Sequence, residues 1–399
     1  MPVCFICVPF DQSERTCVCI RAVRMLSVRY AQRNAHRVFE QVIACKFSSL
    51  AGHGGRGAFC NYFRRAFSSN GYSNPVFHVD SLRGLMIDGG KVITDNHALE
   101  AHNLDWMKQY KGNSEVLIQP TSTNEVSKVL DYCNSNRLPV VPQSGNTGLV
   151  GGSVPITNEI ILSMAKLDSV IGFDPVNGIL TCEAGCILQD LDAYLSRNFY
   201  MMPYDIGAKG SCMIGGNVST NAGGQHFYRF GSMHANILGV EVVLADGTVL
   251  DLLNRNRKDN TGYNLKHLFI GAEGTLGVIT KVDISCPRRP RAQNVALLGC
   301  DNYDAVQNVL LLAKEELGEI LSAFELMDHT VIDAVGRIID IPVKSYNGDC
   351  FPFTILIETQ GSNYEHDSMK IEKLLEKGMG SGDIVDGVLA QDRKQIAHM

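Results

Sequence analysis

From Val116 onward, apolar and polar positions alternate in short, regular blocks. Val116-Leu117-Ile118 has the length and composition of a strand. Asn124 to Asn134 places Val126, Val129 and Leu130 on one face at helical spacing, with Thr123 or Asn124 near its cap. Val140-Val141 predicts the next strand. Three more follow: Ile160 to Met164, Ser169 to Phe173, and Gly178 to Ala184. Asp174-Pro175-Val176-Asn177-Gly178 joins the last two with a Pro and an Asn-Gly, a hairpin signal. Ile187, Leu188, Leu191, Tyr194 and Leu195 return to helical spacing. Ile237 to Leu244 and Thr248 to Leu252 flank Ala245-Asp246-Gly247 as a second hairpin, and Gly277 to Ile284 predicts a closing strand. Beyond Pro287-Arg288-Arg289-Pro290, read as a linker, the pattern changes. Val295 to Gly299, Ser322 to Met327 and Phe351 to Glu358 predict strands, with helices over Val306 to Leu317 and around Met369 to Leu375. That region is expected to be an α/β unit with an antiparallel sheet.

Two stretches break this periodicity with glycine. Pro142-Gln143-Ser144-Gly145-Asn146-Thr147-Gly148-Leu149-Val150-Gly151-Gly152-Ser153 follows the apolar run Leu138-Pro139-Val140-Val141. The second runs from Gly207 to Gly224 and carries Gly215-Gly216-Asn217-Val218-Ser219-Thr220-Asn221-Ala222-Gly223-Gly224. Glycine allows close approach of backbone to a ligand, and successive N–H groups among Ser, Thr and Asn make a concave nest for an anion such as a pyrophosphate. The first stretch is not a P-loop, because Ser153 follows Gly151-Gly152 with no lysine. Nor is it a dinucleotide fingerprint of the G-x-G-x-x-G kind, because no long helix follows. Close packing of strands or helices would also explain glycine at one such stretch. Two in one region make a large ligand the stronger reading.

Composition is that of an ordinary globular chain of 399 residues, long enough for two or three domains. Net charge is −6, unevenly distributed: residues 1–70 hold ten Lys/Arg against three Asp/Glu. The remaining acidic body argues against a nucleic-acid partner. The basic, acid-poor head, with Arg15, Arg21, Arg24, Arg29, Arg33 and Arg37 among Ser and Ala, is expected to be a mitochondrial transit peptide over 1–67. Arg64-Arg65-Ala66-Phe67-Ser68 resembles its processing site, and residues 68–109 are read as an extension. No run reaches the roughly 18 apolar residues of a membrane span. Cys133, Cys182, Cys186, Cys212, Cys286, Cys300 and Cys350 show neither C-x-x-C nor zinc spacing, which predicts reduced thiols used as small core residues.

Four blocks in order resemble the FAD-binding half of the vanillyl-alcohol-oxidase/PCMH flavoproteins: Pro142 to Ser153, Gly207 to Gly224, Lys258 to Leu265, and Gly271-Ala272-Glu273-Gly274-Thr275-Leu276-Gly277-Val278-Ile279. The later blocks Glu319 to Asp328 and Ile357-Glu358-Thr359-Gln360-Gly361-Ser362-Asn363 resemble the members that oxidise 2-hydroxy acids. The resemblance implies an α+β fold: a PCMH-type FAD-binding domain of two α+β subdomains over 110–288, then an incomplete substrate or cap domain over 289–399. It implies that Ser144, Gly145, Asn146, Thr147, Gly148 and Leu149 clasp the pyrophosphate. Gly215, Gly216, Asn217, Thr220 and Asn221 would line the ribityl chain and ring, and Gly277 and Ile279 would edge the adenosine. Further contacts are implied for Pro142, Ser153, Pro203, Gly207, Ser211, Cys212, Gly223 and Gly224. Some relatives link flavin to a histidine in the first loop; none lies between Val140 and Ser153, so FAD is expected to be non-covalent.

The resemblance further implies oxidation of a D-2-hydroxy acid in the mitochondrial matrix, with D-2-hydroxyglutarate the first expectation and D-lactate a sister reading. Electron-transfer flavoprotein is the implied acceptor. The family continues past Met399. There it supplies a substrate arginine, a histidine/glutamate site for a divalent metal such as zinc, and a catalytic histidine. None of these has a matching position, so no catalytic or metal residue is expected here, and an FAD-binding product without turnover is the competing expectation. Gln225-His226 stands where relatives have an apolar residue and an arginine; a surface substitution is the first reading of His226 and a tuned flavin neighbour the other. Asn264 replaces an aspartate, with a mild effect expected.

Overall fold

The first sheet is built from β1 (Lys91–Ile93), β2 (Leu117–Gln119), β3 (Val140–Gln143) and β4 (Ile160–Ser163), in the order β1-β2-β4-β3. β2 and β3 both run parallel to β4, while β1 is antiparallel to β2. Every residue of β4 is buried, as expected for a central strand covered on both faces. The helix Thr123–Ser135 connects β2 to β3 and buries Val126, Val129, Leu130 and Cys133. Its N-cap is Ser122 rather than Thr123 or Asn124. Ser122 has extended backbone and its hydroxyl accepts from Glu125 N at 3.2 Å. Thr123, already helical, donates to Glu241 at 2.6 Å instead. The structure is a computed structural model and describes residues 72–338 and 351–390. The expected transit peptide over 1–67 and Cys350 lie outside the described residues.

The second sheet is antiparallel throughout, in the order β5-β6-β9-β7-β8 for β5 (Val170–Asp174), β6 (Ile179–Glu183), β7 (Ile237–Val243), β8 (Val249–Leu252) and β9 (Val278–Ser285). Both hairpins form where turn residues were read. Asp174 Oδ1 accepts from Val176 N and Asn177 N, and Gly178 takes φ +66°, which a Cβ would strain. The core beneath joins Leu180, Val240, Val282 and Ile284 of the sheet to Leu188, Leu191 and Leu195 of the helix Leu188–Ser196.

The third sheet orders β10 (Ala292–Cys300), β11 (Leu321–Asp328), β12 (Phe353–Gly361) and β13 (Asp386–Leu389) as β11-β12-β10-β13, all antiparallel neighbours. With the helices Tyr303–Leu317 and Tyr364–Ser381 this is the β-α-β-β-α-β arrangement of ferredoxin-like units. Val309, Ala313 and Leu317 pack with Ile371 and Leu374 over Ile355 and Ile357, so the apolar faces of both helices cover one face of the sheet. The antiparallel sheet expected beyond the proline-arginine linker is therefore present. All three sheets fall within the compact unit Ser73–Met399. Among the described residues no helix is long and apolar enough to cross a membrane.

Candidate functional site

The first glycine stretch leaves the carboxyl end of β3 as an irregular loop held by its own polar side chains. Gln143 Nε2 donates to His102 O and Ser153 O, both at 2.9 Å. Asn146 takes φ +50°, a conformation asparagine tolerates, and spans the loop: its Nδ2 donates to Leu104 O at 2.7 Å and its Oδ1 accepts from Ser153 Oγ at 2.8 Å. Among the described residues, the backbone N–H groups of Gly145, Asn146, Thr147 and Gly148 find no protein acceptor.

The second stretch packs directly on the first. A Cβ on Gly145 would fall 2.4 Å from Ser211 O and 3.0 Å from Cys212 Cα, and one on Gly216 would fall 2.9 Å from Ser144 Cβ. Glycine at these positions is required by close approach. Within the second stretch the chain forms the helix Ile214–Ser219, which glycine propensity opposes. Tertiary contact decides the matter, for a Cβ on Gly215 would meet Ala184 Cβ at 2.5 Å. The N–H groups of Ile214 and Gly215 are spent on Cys186 O and Ala184 O.

Together the two stretches and the start of β9 enclose a cleft of about 280 Å³. Of the residues the resemblance pointed to, Pro142, Ser144, Gly145, Asn146, Thr147, Gly148, Ser153, Cys212, Gly215, Gly216, Asn217, Thr220, Gly277 and Ile279 line it. Leu149, Pro203, Gly207, Ser211, Asn221, Gly223 and Gly224 do not. Leu149 is exposed, Pro203 is buried, and Gly224 at φ +108° lies against Asp205 O. The cleft also takes Met164, Ile206, Ala208, Met213, Ala222 and Glu273, which sequence patterning did not single out. Ala208, Met213 and Ala222 carried a signal in lying within the Gly207 to Gly224 stretch, and Glu273 in the Gly271 to Ile279 block, while Met164 and Ile206 lie outside both. The φ of Glu273, +52°, is unusual for a glutamate.

Two observations point to a ligand in the cleft. Asn217 Oδ1 and Asn221 Oδ1 are buried without partners, the first of them in the lining, and buried polar atoms are rarely left so. Gly148 lines the cleft with nothing within 4 Å of a would-be Cβ, so a side chain there would project into open space. No Lys or Arg lines the cleft, and an anion would be held by backbone N–H groups. Burial pushes the Cys212 thiol up, so it is a neutral wall.

A larger cleft of about 910 Å³ lies on the other side of the loop 205–209, with Lys209, Arg289, Arg291, Gln293, Gln360 and His226 in its lining. His226 corrects the sequence reading. It is no surface residue but is buried at 5 % exposure. Its Nε2 donates to Glu358 Oε2 at 3.1 Å, while Glu358 Oε1 accepts from Gln360 Nε2 at 2.7 Å and Gln293 Nε2 at 2.9 Å. Burial alone would raise the Glu358 carboxyl; the hydrogen bond and charge of His226 with the two amide donors outweigh it and hold Glu358 below the usual carboxylate range. Among the described residues no group of three His, Cys, Asp or Glu side chains could hold a metal ion.

The architecture has the fold of the vanillyl-alcohol-oxidase/PCMH flavoproteins. Residues 114–253 match the FAD binding domain family, and residues 289–399 match the C-terminal domain of FAD linked oxidases. p-Cresol methylhydroxylase shares the fold at a TM-score of 0.63 with 18% identity, covering 80% of this chain and 67% of that one. Within the class, the chain is similar to enzymes named mitochondrial D-2-hydroxyglutarate dehydrogenase. The enzyme of that name from Rattus norvegicus is 50% identical over 309 residues, 77% of this chain and 57% of the rat protein. The Arabidopsis thaliana enzyme is 50% identical over 77% of this chain and 55% of its own length. The chain thus spans a little over half the length of these relatives.

Proposed function

We propose that this chain binds FAD non-covalently in the cleft between the two glycine stretches and serves oxidation of D-2-hydroxyglutarate to 2-oxoglutarate. The observation that carries the reading is that Gly145, Asn146, Thr147 and Gly148, whose N–H groups find no acceptor among the described residues, all line a cleft to which no described Lys or Arg contributes. Residues 110–288 form the flavin domain in this reading, and 289–399 the cap domain that covers it. When bound, FAD would supply the two-electron acceptor for the hydride of the hydroxyl-bearing carbon, the hydroxyl proton leaving to a base that is not assigned among the described residues. This chain's own residues hold and orient FAD: the N–H groups of the first loop take the pyrophosphate, and Asn217 offers its unpaired Oδ1 to a cofactor hydroxyl or ring N–H.

We assign no catalytic base and no metal ligand among the described residues. The relatives named mitochondrial support a mitochondrial address; the matrix, and electron-transfer flavoprotein as acceptor, belong to the proposal.

The test is the anaerobic visible spectrum of the chain from Ser68 onward, with and without D-2-hydroxyglutarate. A flavin spectrum that bleaches with this acid supports the full reading. Bleaching with D-lactate alone moves the substrate to the sister acid. Bound flavin that bleaches with neither leaves a cofactor-binding chain without turnover. A colourless protein that takes up no added FAD refutes the site.

A further inference from the structure

The buried contact between His226 and Glu358 joins residues 132 positions apart, one beside the flavin cleft and one in the third sheet. His226 follows Gly223-Gly224-Gln225, the end of the second glycine stretch, and opens the short helix Phe227–Phe230, which packs against β11. Two links carry its position back to the cleft. Gly224 sits at φ +108° with no room for a Cβ against Asp205 O, and Gln225 N donates to that same carbonyl at 3.2 Å. Asp205 leads into Ile206 and Ala208, which line the cleft, as does Ala222 on the other side of the turn. His226 cannot shift without moving Gly224, and Gly224 cannot shift without moving the loop at 205–208.

The other end is equally fixed. Glu358 lies in the middle of three strands, with β12 paired to β10 and β11. Its carboxylate takes three donors and only 2 % of the residue is exposed. Arg229, on the His226 helix, feels the charges of both Glu358 and Asp367 of the helix Tyr364–Ser381, and Lys209, Arg289 and Arg291 line the cleft that His226 also lines. A buried carboxylate that loses one of its partners is left with uncompensated charge, which strongly disfavours that arrangement. The bond therefore holds one relative placement of sheet and loop.

We propose that His226 is a positioning residue: pinned by Glu358, it registers the third sheet against the flavin cleft, so that the grip on FAD depends on a contact the cofactor does not touch. The idea rests on FAD occupying the cleft. Interactions remote from a ligand alter its binding to a limited extent, and the expected weakening for His226→Ala is about 3- to 30-fold in FAD Kd.

The experiment is a double-mutant cycle read by quenching of flavin fluorescence, with His226→Ala, Glu358→Gln and the two combined. The expected result is similar weakening in each single variant and no further loss in the double. His226→Gln keeps an N–H for Glu358 and restores most of the affinity, which a role in mere space-filling would not require. Should His226→Ala fail to fold, Gln293→Ala removes one donor from Glu358 with His226 intact and weakens FAD in the same direction by less. Folded variants that all bind within about twofold of the parent, or additive losses in the double, overturn the proposal. If the parent chain binds no FAD, the functional reading fails separately, and amide hydrogen exchange of the apo chain decides: faster exchange at 205–208 and 222–227 in His226→Ala supports the pin, and unchanged exchange there refutes it.

Discussion

Two glycines of the same loop, three residues apart, have opposite surroundings, and substituting each separates stability from cofactor binding. A Cβ at Gly145 falls 2.4 Å from Ser211 O and 3.0 Å from Cys212 Cα, both backbone atoms that cannot swing away. Overpacking of this kind costs about 1–3 kcal/mol. For a unit of this size that lowers Tm by about 2–10 °C. A Cβ at Gly148 meets nothing within 4 Å, and its φ lies outside the left-handed range. Gly148→Ala therefore gains about 0.4–1 kcal/mol by restricting the unfolded chain, and the apo protein melts at the same temperature or slightly higher. The new methyl occupies the space in which the loop's N–H groups would meet a phosphate oxygen. Loss of one charge-assisted hydrogen bond, about 1.5–3 kcal/mol, weakens FAD about 10- to 100-fold. Near-UV circular dichroism on heating measures the first effect and flavin fluorescence quenching the second. Gly148→Ala binding FAD as the parent does, or Gly145→Ala melting unchanged, would refute the cradle as drawn.

Glu316 is held down to about 2 by hydrogen bonds from Lys377 and Lys373, and by their charges, against a smaller opposing effect of burial. A depressed carboxyl contributes stability above its unfolded value and loses it as pH falls through the folded one. The gap in urea stability between the parent and Glu316→Gln should thus be constant above about pH 5 and close as pH approaches 2; a gap that widens on acidification would contradict the pairing. Burial pushes Cys133 and Cys286 up to about 12 and Cys300 to about 11. At pH 8 an iodoacetamide pulse followed by peptide mapping should leave these three unlabelled in the native chain and labelled in guanidinium, and fast native labelling of any one would show that its wall opens.

What the sequence disclosed and what it hid follow from the range of the interactions involved. Strands, hairpins and helices announced themselves because each is decided by neighbours a few residues away, as at Asp174 to Gly178. The glycine stretches stood out through composition alone, and both line one cleft. The helix Ile214–Ser219 was not legible, because Gly215 and Gly216 oppose helix locally and are tolerated only for the sake of Ala184 and Ser144. His226 was misread for the same reason. Nothing within its own segment distinguishes a buried bridge from a surface residue, and its partner Glu358 lies on another sheet. Glu125 went unnoticed as well. It is buried and accepts from the N–H groups of Asp88, Gly90 and Thr121, which ties the loop after the helix Val79–Gly84 to the start of Thr123–Ser135.

The position of β9 bears on when the cleft can exist. It is the last strand of the second sheet in sequence, yet it lies between β6 and β7, and its first residues form part of the cleft wall. During synthesis, which delivers the amino-terminal part first, both glycine stretches emerge well before the strand that locks them side by side. Until Ser285 is available the sheet is two separate hairpins, β5-β6 and β7-β8, with Leu180, Val240 and the other core residues exposed between them. Pairing across such sequence distances is slow compared with hairpin closure. The flavin cradle is therefore a late product of biosynthesis, and the nascent chain must stay soluble through an interval in which no cofactor can stabilise it.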